Sequence, residues 1–230
     1  MRSIRSKARL AGILYLVMSI LMVFSYMYVP SQFIVTGDPA ATAQKILDGA
    51  FMYRVTVLTG LISQLLFIAV VLLLYDLFRE VGPVPARLMV ALVCAGAVGE
   101  IVVVANRLAP FLLLSGDRFT SVFTRPQLEA FSYGLLRWGG NLSRLISSIW
   151  GLWLIPFGIL VIRSGFFPKL LGYLLFAAGL GYMVTCAAWI VVPDQLGAIS
   201  RVMSPLYFGE LPVVLWMAIL GARTPRSVSA

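Results

Sequence analysis

The sequence predicts an all-α membrane protein, a six-span transmembrane helical bundle with a small extracytoplasmic helical cap. Of its 230 residues, 60% are hydrophobic and 12% are charged. A soluble domain of this length needs about a quarter charged residues to cover its surface. The mean hydropathy is +0.96, and several apolar runs reach the length of about 18 residues that crosses the hydrocarbon core. We therefore expect a single transmembrane domain over residues 1–230.

The first half of the chain holds two complete spans. An apolar stretch, 10–29, follows a basic N-terminal segment and ends at Pro30. It is too long for a signal peptide and no small-residue cleavage site follows it, so we expect it to remain as the first span. The small polar segment 37–43 predicts a short helix outside the bilayer. The second span is 55–78, and the Pro- and Gly-containing turn 81–85 ends it.

Four further spans follow. The third, 87–114, is apolar except for a few polar positions. The segment 124–126, Thr-Arg-Pro, predicts a helix start with proline in the first turn. The fourth span is then 128–162, and the remaining two are 170–192 and 202–220.

Charge predicts the orientation. The chain has 18 Lys and Arg residues against 9 Asp and Glu residues, a net charge of +9. No basic stretch outside the spans is interleaved with aromatic residues, so we expect no nucleic-acid partner. With the N-terminus inside, the cytoplasmic side carries ten basic residues and the other side five, which favours cytoplasmic termini in an inner (plasma) membrane. The ten are Arg2, Arg5, Lys7, Arg9, Arg79, Arg87, Arg163, Lys169, Arg223 and Arg226.

Several kinds of chemistry are excluded or disfavoured. The chain contains no histidine, so the usual general base and the usual metal or haem ligand are missing. Ser-His-Asp and Cys-His catalysis are impossible within this chain. We expect neither a metal nor a cofactor, and we read Cys94 and Cys186, both inside apolar spans, as small buried hydrophobes.

Two acidic residues share one predicted depth. Glu100 lies 13 residues after Arg87, and Glu210 lies 13 residues before Arg223. A helix rises about 1.5 Å per residue, so each carboxylate is expected about 20 Å above the inner boundary of the membrane. Both would then lie in the outer third of the hydrocarbon core.

Basic residues are expected around these acids. Arg107 is two turns from Glu100 on one face, and Arg137, Asn141 and Arg144 form a polar stripe on the fourth span. Such a stripe cannot face lipid, so we expect it to face the bundle interior or a wet cavity. Spans three and four overrun the bilayer, which makes 108–136 the predicted helical cap. The candidate ligand-binding residues are Glu100, Glu210, Arg54, Arg107, Arg137, Asn141 and Arg144.

Four interpretations of this predicted outward vestibule remain open. The arginines could neutralise the acids and only hold the bundle together, as in a structural or assembly protein. The surplus of arginine could bind an anionic amphiphile, such as an anionic lipid, or a small anion. An acid could serve as a proton site in transport. Least favoured is an intramembrane enzyme with paired carboxylates as acid and base, since no nucleophile motif accompanies them.

Other residues are expected to serve packing. Gly172 and Gly179 would let the fifth span approach a neighbouring helix closely. Tyr26 and Tyr28 lie where an outer belt of aromatic residues is expected, and we interpret both as membrane-interface anchors.

Several motifs resemble one bacterial family, domain-of-unknown-function family 4386. They are the segments 37–43, 72–78, 156–158, 163–172, 178–182, 209–211 and 215–216, together with Arg54. The most specific is Arg163-Ser-Gly-Phe-Phe-Pro-Lys-Leu-Leu-Gly172. The resemblance covers nearly the whole chain, places Arg54 and Glu210 within family-like motifs, and implies a multi-pass bacterial integral membrane protein. It implies no established activity and no catalytic residues.

Overall fold

A computed structural model describes residues 4–116 and 118–223, and these residues form helices and no strands. The α-helices there are α1 (Ile4–Val23), α2 (Val29–Phe33), α3 (Pro39–Asp48), α4 (Ala50–Phe78), α5 (Pro83–Ser115), α6 (Arg125–Ser164), α7 (Lys169–Val191), α8 (Leu196–Met203) and α9 (Leu211–Ile219). A π-helical turn joins α1 to α2 at Phe24–Tyr28, and 3-10 helices occupy Arg118–Val122, Pro193–Gln195 and Ser204–Glu210. The predicted all-α class is confirmed.

Six helical segments of the described residues are long and apolar enough to cross a membrane, which confirms the six-span prediction. They are Ile4–Phe33, Ala50–Phe78, Pro83–Ser115, Arg125–Ser164, Lys169–Val191 and Pro193–Ile219. A core about 30 Å thick needs about 20 helical residues. The longest helix, α6, has 40 residues and therefore overruns the core, as expected for a helix that extends beyond the bilayer. The side on which it extends, and the cytoplasmic termini, remain predictions, and Arg2 and Arg226 lie outside the described residues.

The first span continues past Pro30, where the sequence predicted its end. The π-helical turn Phe24–Tyr28 precedes α2, which ends at Phe33. An α-helical N–H donates four residues back and proline has none, whereas a π turn donates five residues back and changes the register. Pro30 then lies in the first turn of α2, where an N–H is not required. The structure corrects the expected boundary at residue 29.

The last span begins earlier than the predicted residue 202. It extends over Pro193–Ile219 and consists of short helical segments, three of which carry proline in the first turn, at Pro193, Pro205 and Pro212. Because proline is tolerated at a helix start and not in its interior, each one restarts the helix. The structure corrects this boundary as well.

The described residues form two compact units. The first consists of 4–17, Leu66–Ala97 and 145–223, and the second of Met18–Leu65 and Val98–Arg144. Each unit has its own core, and each is described by itself below.

In the first unit, α6 and α7 approach each other through two pairs of glycines. A Cβ on Gly151 or on Gly179 would come within 2.7 Å of the other residue's carbonyl oxygen. Two turns away, Gly158 and Gly172 face each other in the same way, at 2.9 and 2.8 Å. Small residues let helix backbones pack closely in a membrane, where an apolar side chain gains little by leaving lipid for protein. Gly172 and Gly179 therefore have the packing role expected from the sequence.

Aromatic rings fill the centre of the same unit. The Phe67 ring stacks on Trp150 with 5.1 Å between ring centroids and meets Trp153 edge-on at 5.2 Å. Trp153 in turn stacks on Phe157 at 5.2 Å and is 1% exposed. Such pairs contribute about 0.5–1.5 kcal/mol each beyond the area they bury. The stack holds α4 against α6.

The second unit packs α3 against the end of the first span. Its hydrophobic core consists of Val29, Phe33, Ala43, Ile46, Tyr53, Leu114 and Leu136. The Asp38 carboxylate accepts a hydrogen bond from the Ala41 N–H at 2.9 Å and so caps α3. The short helix predicted at 37–43 is thus observed, with Pro39 in its first turn.

We expect Gly179→Ala to lower the free energy of unfolding by about 1–3 kcal/mol, because the added methyl group meets backbone rather than a movable side chain. The control is Gly197→Ala in α8, where no described atom lies within 4 Å of the position that the added methyl group would occupy. That variant should keep or slightly raise stability, by up to about 1 kcal/mol. Thermal unfolding in detergent measures both, and equal stability of the two variants would contradict close α6–α7 packing.

Candidate functional site

The second unit contains a buried carboxylate, that of Glu100, which is 2% exposed. The Tyr26 hydroxyl donates to its Oε2 at 2.5 Å, and the Ser143 hydroxyl donates to its Oε1 at 2.9 Å. Hydrogen bonds to a charged acceptor are stronger than neutral ones. The two hydroxyls therefore offset part of the cost of burying this group.

Arg107 lies on the other side of Tyr26. Its guanidinium carbon is 4.1 Å from the centroid of the Tyr26 ring, a cation–π contact. Its Nη1 also donates to the Ser25 carbonyl at 3.1 Å and to the Ser25 hydroxyl at 3.2 Å. Tyr26 thus contacts the carboxylate with its hydroxyl and the guanidinium with its ring. We call Ser25, Tyr26, Glu100, Arg107 and Ser143 the tyrosine cluster.

The local sequence explains why the Ser25 carbonyl needs Arg107. In the π pattern of Phe24–Tyr28, a carbonyl accepts from the N–H five residues later. For Ser25 that residue is Pro30, which has no N–H. Without water in the hydrocarbon core, a carbonyl left free there needs a donor from the protein, and the guanidinium supplies it.

Two further contacts fix the cluster to α4. The Tyr53 hydroxyl donates to the Arg107 carbonyl at 2.7 Å, and the Ser25 hydroxyl donates to the Thr56 carbonyl at 2.8 Å. Gly60 permits this approach, since a Cβ there would come within 2.7 Å of the Ser25 hydroxyl. Gln64, 1% exposed, contacts the Tyr26 hydroxyl, and its Oε1 has no donor among the described residues.

The structure brings together two of the predicted site residues, Glu100 and Arg107, and both contact Tyr26. Arg54 belongs to the same unit but is exposed, with its guanidinium 5.0 Å from the centroid of the Phe111 ring. Glu210 belongs to the first unit and is half-buried, without a hydrogen bond or ion pair to any described residue.

The polar stripe on α6 lies outside the buried core of its unit, and the other predicted position, facing a wet cavity, stays a prediction. Arg137 and Arg144 are exposed, and Asn141 is half-buried. Within the second unit the inward face of α6 is marked at helical spacing by other residues. They are Ser132, Leu136 and Gly139, with Ser143 one turn further on.

Sequence reasoning missed Tyr26 and Ser143. The interface-anchor interpretation of Tyr26 is corrected by its hydroxyl, which donates to a buried carboxylate. Pro30, four residues later, is the signal that backbone acceptors nearby lack a donor. Ser143 lies one turn after Gly139 on the inward face of α6, and the helical spacing of that face could have identified it.

A second feature of the same unit is a cavity of 560 Å³. It lies beside the end of α5 and the start of α6, and its lining is almost wholly apolar. The lining residues are Leu113, Phe123, Gln127, Leu128, Ala130, Phe131, Gly134 and Leu135. Gln127 serves the helix start, because its Oε1 accepts from the Thr124 N–H at 2.8 Å. We call this space the apolar cavity.

The family model described as "Domain of unknown function (DUF4386)" matches residues 10–221. The chain belongs to the DUF4386 family. No curated protein and no solved structure matches it. The matched residues of this DUF4386 member include those of the tyrosine cluster and of the apolar cavity.

In this DUF4386 chain we expect Tyr26→Phe to destabilise the protein by about 1–3 kcal/mol, because the buried Glu100 carboxylate loses a donor and gains no water. The control is Tyr173→Phe in α7, where the tyrosine is 57% exposed and its hydroxyl has no partner among the described residues. Chemical unfolding in detergent compares the two, and an unchanged Tyr26→Phe protein would show that the hydroxyl does not stabilise the carboxylate.

Proposed function

We propose that this multi-pass membrane protein binds an anionic amphiphile, with the hydrocarbon part of the ligand in the apolar cavity. The observation that carries this proposal is the cavity itself. Its 560 Å³ lie within the range of about 300–1,000 Å³ that is typical of ligand pockets, which are lined mainly by hydrophobic side chains. No residue lining it carries a charge, which favours an amphiphile over a small inorganic anion.

The headgroup is assigned to arginines on the same helix. Arg137 follows the lining residue Leu135 by two positions, and Arg144 lies two turns further along α6. Both are exposed. A guanidinium binds carboxylate or phosphate through two parallel hydrogen bonds, and we assign the anionic headgroup to these two exposed arginines.

The tyrosine cluster supports a different role. Arg107 donates to the Ser25 carbonyl and packs on the Tyr26 ring, and the Glu100 carboxylate accepts from two hydroxyls. Removing one member would leave a buried polar group without its partner. This favours the structural alternative for these residues, in which Glu100 and Arg107 hold the unit together and the ligand binds elsewhere.

The inner membrane of a bacterium is the proposed location. The surplus of basic residues on one predicted side supports cytoplasmic termini in that membrane. The family resemblance supports the bacterial assignment.

Filling the cavity tests the function. We expect Gly134→Leu to reduce binding of palmitate about tenfold, because its side chain takes up space equivalent to two or more methylene groups of the ligand. No described atom lies within 4 Å of a Cβ at Gly134 or at Gly140, and only Gly134 lines the cavity. Gly140→Leu is therefore the matched control and should bind palmitate normally. Native mass spectrometry of the purified protein counts the bound molecules.

The headgroup assignment has its own control ligand. Arg137→Gln combined with Arg144→Gln should weaken binding of palmitate about tenfold and leave binding of its uncharged methyl ester unchanged. Normal binding of both ligands by Gly134→Leu would show that the ligand does not occupy the apolar cavity. An equal loss of both ligands in the arginine variant would show that Arg137 and Arg144 do not bind the headgroup.

A further inference from the structure

A second cavity, of 410 Å³, lies in the first unit between the first turns of α1 and the end of α9. It is separate from the apolar cavity, and its lining is basic and aromatic. The lining residues are Arg5, Trp216, Leu220, Gly221, Ala222 and Arg223. We call it the arginine cavity, and the inference drawn from it does not depend on the proposed function.

The end of α9 builds this cavity. Gly221 adopts a φ of 71°, the left-handed conformation that ends many helices, and its N–H donates to the Met217 carbonyl at 3.1 Å. A Cβ at Gly221 would come within 2.7 Å of the Arg5 carbonyl oxygen, so glycine also permits α1 to approach. The Arg223 N–H then donates to the Phe166 carbonyl at 3.0 Å and fixes the chain beyond the helix.

The two arginines are held in place, and each keeps guanidinium N–H groups that can donate to a ligand. The Arg5 Nε donates to the Leu220 carbonyl at 3.2 Å, and its two Nη groups have no acceptor among the described residues. The Arg223 guanidinium carbon lies 5.2 Å from the centroid of the Trp216 ring. Because each guanidinium is fixed through one part of its surface, little further ordering is needed when an anion binds.

Trp216 contributes its ring to the lining of the cavity. Its Nε1 is buried and therefore closed to a molecule in the cavity, whereas the ring holds the Arg223 guanidinium. The cavity thus has two sources of N–H donors, the guanidiniums of Arg5 and Arg223, and no anionic side chain among its described lining residues.

We infer that the arginine cavity binds a phosphate oxyanion, that of an anionic phospholipid headgroup or of a free phosphate ester. Phosphate offers several oxygens, and arginine binds it through paired hydrogen bonds. A tryptophan and basic residues at the end of two membrane spans are the features that anchor proteins at a headgroup layer. By the count of basic residues this is the cytoplasmic end, where anionic lipids attract arginine.

The test uses the full-length protein purified in a non-ionic detergent. It is titrated with inorganic phosphate, with glycerol phosphate, and with mixed micelles containing phosphatidylglycerol or phosphatidylcholine. Arg5→Gln combined with Arg223→Gln should weaken binding of phosphatidylglycerol at least about tenfold. Arg87→Gln is the matched control, since its Nε likewise donates to a carbonyl, that of Pro83 at 3.2 Å, and it does not line the cavity.

Each outcome decides the inference. Loss of phosphatidylglycerol binding in the cavity variant alone supports a lipid site, and the same loss for the soluble phosphates supports a free phosphate ester. An equal loss in Arg87→Gln overturns the inference, because general attraction between charges would then explain binding, and so does unchanged binding in the cavity variant. If the double variant does not fold, Arg5→Lys decides: it keeps the charge, removes the paired donors of the guanidinium, and should weaken binding severalfold, whereas unchanged binding overturns the site.

Discussion

The hydrocarbon core of a membrane contains no water to satisfy a polar group, so each one inside must find its partner in the protein. The second unit meets this constraint at Tyr26, whose hydroxyl donates to the buried Glu100 carboxylate while its ring covers the Arg107 guanidinium. Arg107 satisfies the Ser25 carbonyl that Pro30 leaves without a donor. One proline and one glutamate, both unfavourable in an apolar helix, are thus accommodated through the same tyrosine.

This arrangement separates charged residues inside the second unit from charged residues on its surface. A charge that is buried and hydrogen-bonded on several sides stabilises the fold only while all its partners remain, and it has little capacity left for a ligand. The exposed arginines of α6 have no such place in the core of their unit. The charged residues that the sequence grouped together therefore have different surroundings, since Glu100 and Arg107 pack around Tyr26 whereas Arg137 and Arg144 are exposed on α6.

The sequence predicted the number of helices because bilayer thickness dictates the length of an apolar span. It could not predict the rotation of α6, because side chains that face lipid and side chains that face protein are equally apolar. The spacing of Arg137 and Arg144 therefore does not show which face of α6 packs inward, the face on which Ser143 lies. The end of the first span was misplaced for a related reason. Whether a helix continues past Pro30 depends on a hydrogen-bond donor from a distant segment, the Arg107 guanidinium. The residues around Pro30 do not show that this donor is present.

Arg107 and Arg5 show how one kind of contact leads to two roles. Each guanidinium donates to a carbonyl at an interruption of a helix, Ser25 before Pro30 and Leu220 before Gly221. Arg107 is then covered by the Tyr26 ring, and its charge serves the fold. Arg5 opens instead into a cavity shared with Trp216 and Arg223, and its remaining donors have no described acceptor. The difference is the surroundings of the guanidinium, and those surroundings make the second site a candidate for an anion.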